Sequence, residues 1–165
     1  MAACLSSPGS ADTYIAAAAV LPCLGKDALP PLLMALTNQL APNRNCVAEA
    51  IGRMAYLGTN VSPAVPALIA CLRDKRPSVA TEVAWSLGKL GLEPQIAVPA
   101  LINSLQDRDI WLRCASAKAL GDFGERARPA LPALIEALCD MDAEVRQNAT
   151  NAIMEIAPAA LGKEH

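Results

Sequence analysis

Cysteine and histidine are among the residues of this 165-residue chain that could act as nucleophiles or bind a transition metal. The one histidine is His165, the last residue, and no two cysteines form a CxxC pair. The six cysteines are Cys4, Cys23, Cys46, Cys71, Cys114 and Cys139. A zinc site needs clustered ligands, and a serine or cysteine nucleophile needs a base beside it. The pattern predicts buried, reduced thiols, and it predicts no catalytic, metal or cofactor site.

Charge and glycine placement limit the possible ligands further. The formal charge is −2, from 14 basic and 16 acidic residues, and aromatic residues make up 3% of the chain. Binding nucleic acid or an anionic membrane requires an excess of positive charge, so we expect neither as a partner. The glycines recur at equivalent places as Gly88 with Gly91 and Gly121 with Gly124. This recurrence predicts helix-packing and C-cap glycines rather than a phosphate-binding loop.

An internal repeat organises the elements that carry these residues. The segment VPALIACLRD at 65–74 recurs as VPALINSLQD at 98–107, as LPALIEALCD at 131–140, and more distantly as PPLLMALTNQ at 30–39. Each copy has one equivalent proline, which we call the anchor proline: Pro30, Pro66, Pro99 or Pro132. We number register positions by the residues that follow the anchor proline. Position 22 is glycine in three copies and Met154 in the fourth.

Each repeat predicts two helices, with apolar residues at helical spacing on one face and polar residues opposite. We predict helices over 30–40, 42–57, 63–74, 77–91, 94–107, 109–124, 129–140 and 142–157. One hairpin cannot bury both of its faces, so the hairpins must stack. The predicted fold is an all-α solenoid of about four hairpins plus an N-terminal half-repeat at 11–21. The predicted core comprises Leu68, Leu72, Val79, Leu87, Leu101, Leu105, Leu120, Leu134, Leu138 and Ile153.

The repeats resemble HEAT repeats, and they are similar to the short bacterial kind found in phycobilisome-lyase-type proteins. The motifs that carry the resemblance are PALI with a following Asp107, then Leu112-Arg113, then Ala119-Leu120-Gly121. The resemblance covers residues 27–157. Two departures are Asn38, where the other copies have aspartate, and Ala80, where the family has arginine.

In HEAT families, an aspartate and an arginine six residues later form a ladder of hydrogen bonds between adjacent units. Asp107 with Arg113 and Asp140 with Arg146 have this spacing across the turn between the two helices. The resemblance therefore implies a structural ladder, not a catalytic site, and it places these residues in it: Asp74, Asp107, Arg113, Asp140 and Arg146.

The expected organisation is a mobile N-terminus at 1–10, one solenoid domain at 11–158 and a tail at 159–165. The units fall at about 27–58, 62–91, 94–124 and 128–157. An apolar run at 14–24 precedes the first basic residue, Lys26, which is the wrong order for a secretory signal. The polar second helix of the last unit is typical of a terminal cap, so we expect the array to end there. These features and the scattered thiols predict a cytoplasmic protein.

Two tryptophans stand out on the concave face that the second helices are expected to form. The register places Trp85 and Trp111 on a stripe that should be exposed and polar, with Cys114 also on it. The charged residues expected beside them are Glu82, Lys89, Lys118 and Asp122. The tryptophans either anchor a protein partner on this face or pack sideways against a neighbouring helix.

The function that these observations favour is a non-catalytic protein–protein interaction scaffold or assembly factor. Its expected partner is another protein or a peptide, and its expected state is a monomer or weak dimer. Dinuclear iron hydroxylases that resemble this fold need repeated His-Glu pairs, and HEAT-like DNA glycosylases need a basic, aromatic-lined cleft; this chain has neither. The alternative, from the family resemblance alone, is a subunit of a bilin (tetrapyrrole) lyase or isomerase.

Overall fold

The computed structural model describes residues 21–41 and 43–158, with side chains described from residue 25 onward. Every regular element among these residues is helical, as predicted. The α-helices are α1 (Leu29–Thr37), α2 (Arg44–Tyr56), α3 (Val65–Cys71), α4 (Pro77–Leu90), α5 (Pro94–Ser104), α6 (Ile110–Asp122), α7 (Leu131–Ala137) and α8 (Ala143–Ile156). Their ends lie within three residues of the predicted ends. The half-repeat expected at 11–21 falls, except for its last residue, outside the described residues, as do 1–10 and 159–165.

Consecutive helices form four hairpins: α1 with α2, α3 with α4, α5 with α6, and α7 with α8. The anchor proline is the second residue of α1, α3 and α7, where a missing N–H leaves no hydrogen bond unmade. In the third hairpin the helix begins earlier, at Pro94, so Pro99 lies inside α5. Short 3-10 segments precede three of the first helices, at Leu21–Ala28, Ser62–Ala64 and Gly124–Ala130. The fold is therefore an α-solenoid built from helical hairpins.

Side-chain and glycine caps set the ends of the second helices. The Asp109 carboxylate accepts a hydrogen bond from the Leu112 N–H at 3.0 Å and so caps the start of α6. Asp142 caps α8 in the same way, accepting from the Glu144 N–H at 2.8 Å. Gly91 and Gly124, just beyond the second helices, both have φ of 58°, a conformation that disfavours residues with a Cβ. The predicted C-cap role of these glycines is confirmed.

The described residues form two compact parts, one up to residue 86 and one from residue 87 onward, and the boundary falls within α4. In the N-terminal part the largest fully buried side chains include Leu32, Leu36, Ile51, Met54 and Leu68. In the C-terminal part they include Leu87, Leu101, Leu120, Phe123 and Leu134. Each part thus has an aliphatic core that the repeat register predicts.

Two predicted core positions are wrong, and both lie in the last hairpin. Leu138 is 37% exposed, whereas Leu105, at the same register position in the preceding hairpin, is 5% exposed. Ile153 is only partly buried. A residue at these positions becomes buried when the next hairpin packs against it. Among the described residues, 21–41 and 43–158, no hairpin follows α7 and α8. The other eight predicted core residues are buried.

Glycine at position 22 lets second helices approach each other closely. A Cβ on Gly88 would lie 2.7 Å from the Cα of Ala119 in α6. A Cβ on Gly121 would lie 3.1 Å from the Cα of Ala152 in α8. In the N-terminal part, Gly52 faces Ser86, whose hydroxyl donates a hydrogen bond to the Ala48 carbonyl at 3.0 Å. The helix-packing role expected for Gly88 and Gly121 follows from this geometry.

Candidate functional site

Arg113 and Asp140 form a bidentate ion pair between the third and fourth hairpins. Arg113 Nε donates to Asp140 Oδ2 at 2.8 Å, and a terminal nitrogen donates to Oδ1 at 2.9 Å. The other terminal nitrogen donates to the main-chain oxygens of Asp107 and Arg108. The two side chains are only 15% and 14% exposed. The side-chain hydrogen bonds between Arg113 and Asp140 lower the pKa of Asp140 below its usual value, and they raise the pKa of Arg113.

An ion pair between position 14 of one hairpin and position 8 of the next also occurs in the N-terminal part. Arg44, at position 14 like Arg113, pairs with the carboxylate of Asp74, which is at position 8 like Asp140. Arg44 also donates to the Leu36 carbonyl at 2.6 Å. Burial of Asp74 opposes its ionisation, but the main-chain N–H of Arg76 and the Arg44 guanidinium outweigh it, so the pKa of Asp74 is lowered. Arg44 was not among the predicted ladder residues, although its place at position 14 was the available signal.

The ladder joins adjacent hairpins, but an aspartate and the arginine six residues after it do not pair through the carboxylate. Asp107 accepts a hydrogen bond from the Asp109 N–H at 2.9 Å, and it offers Arg113 only its main-chain oxygen. Arg146 likewise donates to the main-chain oxygens of Asp140, at 2.8 Å, and of Met141, at 3.1 Å. The position-8 carboxylates of Asp74 and Asp140 therefore pair with the arginine of the preceding hairpin, whereas the hairpin before Asp107 has Ala80 at position 14. The separation of six residues places the carbonyl, rather than the carboxylate, against the arginine of the same hairpin.

The described cysteines, Cys46, Cys71, Cys114 and Cys139, are all free thiols. Cys114 was expected on an exposed stripe, but it is buried, as is the neighbouring Ala115. The reason is the close packing of α8 on α6, which the small residues of α6 allow. Burial, together with the carboxylates of Glu144 and Asp142, raises the pKa of the Cys114 thiol to about 11. Burial also raises the pKa of Cys71, which lies beside Arg44.

Trp111 is the large aromatic residue that the C-terminal part presents to solvent. It lies in the first turn of α6 and is 59% exposed. Two turns further along α6, Lys118 donates to Asp122 at 2.6 Å and lies 3.7 Å from Glu155 of α8. These contacts raise the pKa of Lys118, with the Asp122 hydrogen bond as the largest cause. The C-terminal part therefore combines an exposed indole with a three-member charged cluster.

The remaining predicted surface residues lie on α4. Trp85 and Glu82 are both partly exposed, and Lys89 is exposed. Trp85 and Glu82 belong to the N-terminal part and Lys89 to the C-terminal part. Trp111 is 59% exposed, whereas Trp85 is half-buried.

Within the described ranges, no three residues among His, Cys, Asp and Glu are grouped so that they could hold a metal ion. Nor is any helix of that part of the chain long and apolar enough to cross a membrane. The described surface cavities are about 310 and 380 Å³ in volume. They lie against Arg113 with Asp140 and against Arg44 with Asp74, so each one adjoins an ion pair between hairpins.

Solved structures with a similar fold include a protein complex, a designed repeat protein with a bound peptide, and an engineered protein. One is the complex of CpcE and CpcF of phycocyanin lyase from Nostoc sp. PCC7120, with a TM-score of 0.78 and 25% identity. The match covers 97% of this chain, which spans 65% of the length of that chain. A designed armadillo repeat protein in complex with peptide (KR)4 matches with a TM-score of 0.66 and 17% identity, covering 94% of this chain and 80% of the other. An engineered protein matches with a TM-score of 0.67 and 21% identity, covering 94% and 78%.

Family models match most of the repeat array. The model described as HEAT repeats matches residues 98–162, and a HEAT-like repeat model matches 41–90. The PBS lyase HEAT-like repeat model matches residues 79–107, which links the second and third hairpins. No curated protein sequence matches the chain. Together these matches identify residues 41–162 as an array of HEAT-type repeats that includes the PBS lyase HEAT-like type.

Proposed function

We propose that this chain is a non-catalytic scaffold or assembly factor that binds a protein partner through the surface around Trp111. The observation that carries this proposal is the exposure of Trp111, which is 59%, in the first turn of an otherwise well-packed helix. An exposed indole offers a large apolar area and loses little rotamer entropy on binding, which is why tryptophan is common among interface anchors.

The distribution of charge supports a polypeptide ligand. Arg44 forms an ion pair with Asp74, and Arg113 forms one with Asp140. These arginines therefore join hairpins and do not present their charge to a ligand. The cluster of Lys118, Asp122 and Glu155 presents both signs of charge. A mixed surface of this kind orients a polypeptide better than it attracts a polyanion. Similar folds have also been solved with a protein subunit or a peptide.

The test is the affinity of a partner purified from the native source for the wild-type chain and for Trp111→Ala. We expect the substitution to weaken binding by about 30-fold or more, which corresponds to about 2 kcal/mol. Tyr56→Ala is the matched control, because Tyr56 is another highly exposed aromatic residue but lies on α2 in the N-terminal part. Equal affinities for wild type and Trp111→Ala, with both proteins folded, would show that this surface is not the binding site.

Trp85, in the N-terminal part, is a separate candidate contact for a partner and is tested by itself. Because it is only partly exposed, its removal affects packing as well as any contact with a partner. We expect Trp85→Ala to weaken partner binding, and Trp85→Phe to preserve the fold while retaining part of the affinity. Charge-reversed Lys89→Glu should change the association rate and its salt dependence more than the dissociation rate, because Lys89 is exposed.

A second candidate is a subunit of a bilin lyase or isomerase. It is favoured by the match of residues 79–107 to the PBS lyase HEAT-like repeat and by the similarity to the chains of the phycocyanin lyase complex. Its test is to mix the purified chain with a bilin and to record the absorbance of the tetrapyrrole. A shifted, stoichiometric absorbance band would support this candidate, and transfer of the bilin to an acceptor protein would contradict the non-catalytic proposal.

A further inference from the structure

The cavity beside Arg44 and Asp74, about 380 Å³ in volume, is lined mainly by basic side chains. Its charged lining residues are Arg44, Arg73, Asp74, Lys75 and Arg76. Four basic side chains therefore surround one carboxylate, in a chain whose formal charge is −2. We call it the basic cavity. All of these residues belong to the N-terminal part, so the site is complete within that part.

The one carboxylate of the basic cavity already contacts two arginines. Asp74 forms an ion pair with Arg44, whose side chain is 5% exposed, and its Oδ1 lies 3.4 Å from Nε of Arg76. Arg73 and Lys75 are exposed, and among the described residues neither has a carboxylate at ion-pair distance. The positive charges of Arg73 and Lys75 are therefore not neutralised within this part of the chain.

Arg76 also has a hydrogen-bond donor without an acceptor. One terminal nitrogen donates to the Ala41 carbonyl at 3.0 Å, whereas the other is buried and makes no hydrogen bond with the described residues. A buried donor without a partner is uncommon in folded proteins and costs free energy. Because Arg76 lines the basic cavity, an oxygen-rich ligand bound there would supply the missing acceptor.

The equivalent cavity of the C-terminal part has the same ion pair but not the extra cations. It is about 310 Å³ in volume and adjoins Arg113 and Asp140, which correspond in register to Arg44 and Asp74. Its residues at positions 7, 9 and 10, which are basic in the second hairpin, are Cys139, Met141 and Asp142. The ion pair is thus a feature of the repeat, whereas the three cations are particular to the basic cavity. Stacking of the hairpins does not explain them.

We propose that the basic cavity binds a phosphate monoester, which Arg73, Lys75 and Arg76 hold through their side chains. A phosphate monoester carries nearly two negative charges at neutral pH and has three strong acceptor oxygens. Guanidinium groups bind such oxygens through paired hydrogen bonds, and lysine acts as a point charge. Arg44 keeps its structural role, because Asp74 and the Leu36 carbonyl accept its hydrogen bonds.

The charge and the size of the basic cavity distinguish this ligand from other anions. A carboxylate brings one negative charge and two oxygens to three cations, so it would leave donors unpaired. A phosphodiester, as in nucleic acid, also brings only one charge for each phosphate. The phosphate group belongs either to a small molecule or to a phosphoserine side chain, and both present the same chemistry to these residues. The site does not depend on the surface around Trp111, which is in the other part.

The first experiment titrates the 165-residue chain with O-phosphoserine at constant ionic strength and follows the main-chain and arginine Nε–H signals by NMR. We expect saturable shifts at residues 73–76, with a Kd in about the millimolar range or tighter. Serine should cause no saturable shift, and glutamate should bind at least about 10-fold more weakly. Equal affinity for glutamate would contradict a phosphate site. Shifts that do not saturate, or that are as large in the turns at 107–109 and 140–142, would overturn the proposal.

Removing Arg73 and Lys75 tests the two exposed cations. Arg73→Gln with Lys75→Gln should weaken O-phosphoserine binding by about 10-fold or more, because charge-assisted contacts are lost. The matched control, Arg108→Gln with Arg128→Gln, removes the same charge from exposed residues outside the basic cavity. Its affinity should stay within about twofold of wild type, because salt screens exposed charges that do not contact the ligand. Thermal unfolding checks that both double variants are folded. Equal weakening in the two would mean that net charge alone attracts the ligand, and the site would be refuted.

Three further probes identify the source of the phosphate group: inorganic phosphate, glycerol 3-phosphate and a short peptide with one phosphoserine. Tighter binding of the peptide than of glycerol 3-phosphate would support a phosphorylated protein as the natural ligand, and the reverse order would support a small molecule. If none of the three shifts the signals of residues 73–76, the basic cavity is not a phosphate site. The signals are read in the N-terminal part, so the result is separate from the outcome of the Trp111 test.

Discussion

Both carboxylate oxygens of Asp140 accept hydrogen bonds from the guanidinium of Arg113, at 2.8 and 2.9 Å, and so join the third and fourth hairpins. Charge-assisted bidentate pairs of this kind are stronger than ordinary hydrogen bonds, and this one is largely sheltered from solvent. The repeat thus places its main polar contact between hairpins rather than within one.

Replacing Asp140 should destabilise the protein more than replacing Asp107. Asp140→Ala removes both hydrogen bonds from Arg113 and should lower the free energy of unfolding by about 1–3 kcal/mol. Asp107→Ala removes only the bond to the Asp109 N–H, because Arg113 contacts the main-chain oxygen of residue 107, and should cost about 1 kcal/mol or less. Urea unfolding of both variants checks the ranking. If Asp107→Ala proved the more destabilising, the pairing between hairpins would not dominate.

The same ion pair predicts a dependence of stability on pH. Arg113 lowers the pKa of Asp140 in the folded chain, whereas in the unfolded chain the carboxyl has a pKa near 3.9. Its contribution is therefore fully present above about pH 5 and is lost as the pH falls through about 4 and below. The difference in unfolding free energy between wild type and Asp140→Asn should shrink between pH 6 and about pH 3. A difference that stays constant over this range would mean that Asp140 is not stabilised as the carboxylate.

The sequence predicted the helices and the cores well, because spacing records which face of each helix is apolar. It predicted the exposed surface less well. Cys114 and Ala115 lie on the face of α6 that the register assigned to solvent, but α8 covers them. Leu138 shows the opposite error, because it was predicted to be buried but is 37% exposed. Its burial depends on a hairpin packing beyond it and not on the spacing within its own helix. Periodicity describes one helix at a time, whereas burial here depends on the helix of the next repeat.

Gly88→Ala should destabilise the C-terminal part, although alanine is the better helix former. The new Cβ would lie 2.7 Å from the Cα of Ala119, so the two helices would have to move apart. Overpacking typically costs about 1–3 kcal/mol, which exceeds the gain of about 1 kcal/mol in helix propensity. Gly52→Ala is the matched control, because its Cβ would meet the side-chain oxygen of Ser86 at 3.2 Å, and that side chain can adjust. Thermal unfolding should show a clear loss for Gly88→Ala and little change for Gly52→Ala; equal shifts would contradict the close approach at Gly88.

Leu120→Ala and Leu138→Ala should differ, although the two leucines were predicted to be equally buried. Leu120 is fully buried on α6, so its truncation leaves a cavity and should cost about 2–5 kcal/mol. Leu138 is partly exposed, so its truncation loses less transfer free energy and should cost under about 1.5 kcal/mol. Chemical denaturation of the two variants measures the difference. A loss at Leu138 as large as that at Leu120 would show that Leu138 is covered in solution.

Cys114 and Cys139 should react with a thiol reagent at very different rates in the folded protein. Cys114 is buried and its pKa is about 11, so at pH 8 only about a thousandth of it is the reactive thiolate. Ionisation alone then makes it about two orders of magnitude slower than an ordinary exposed thiol, and burial slows it further. Cys139 is exposed and should be labelled first. Alkylation at pH 8, followed over time by peptide mass spectrometry, separates the two sites. Unfolding in urea is the control, because it should bring both thiols to the same rate. Fast labelling of Cys114 in the native chain would mean that α8 leaves α6 readily, and that the packing of these two helices is weaker than their close approach indicates.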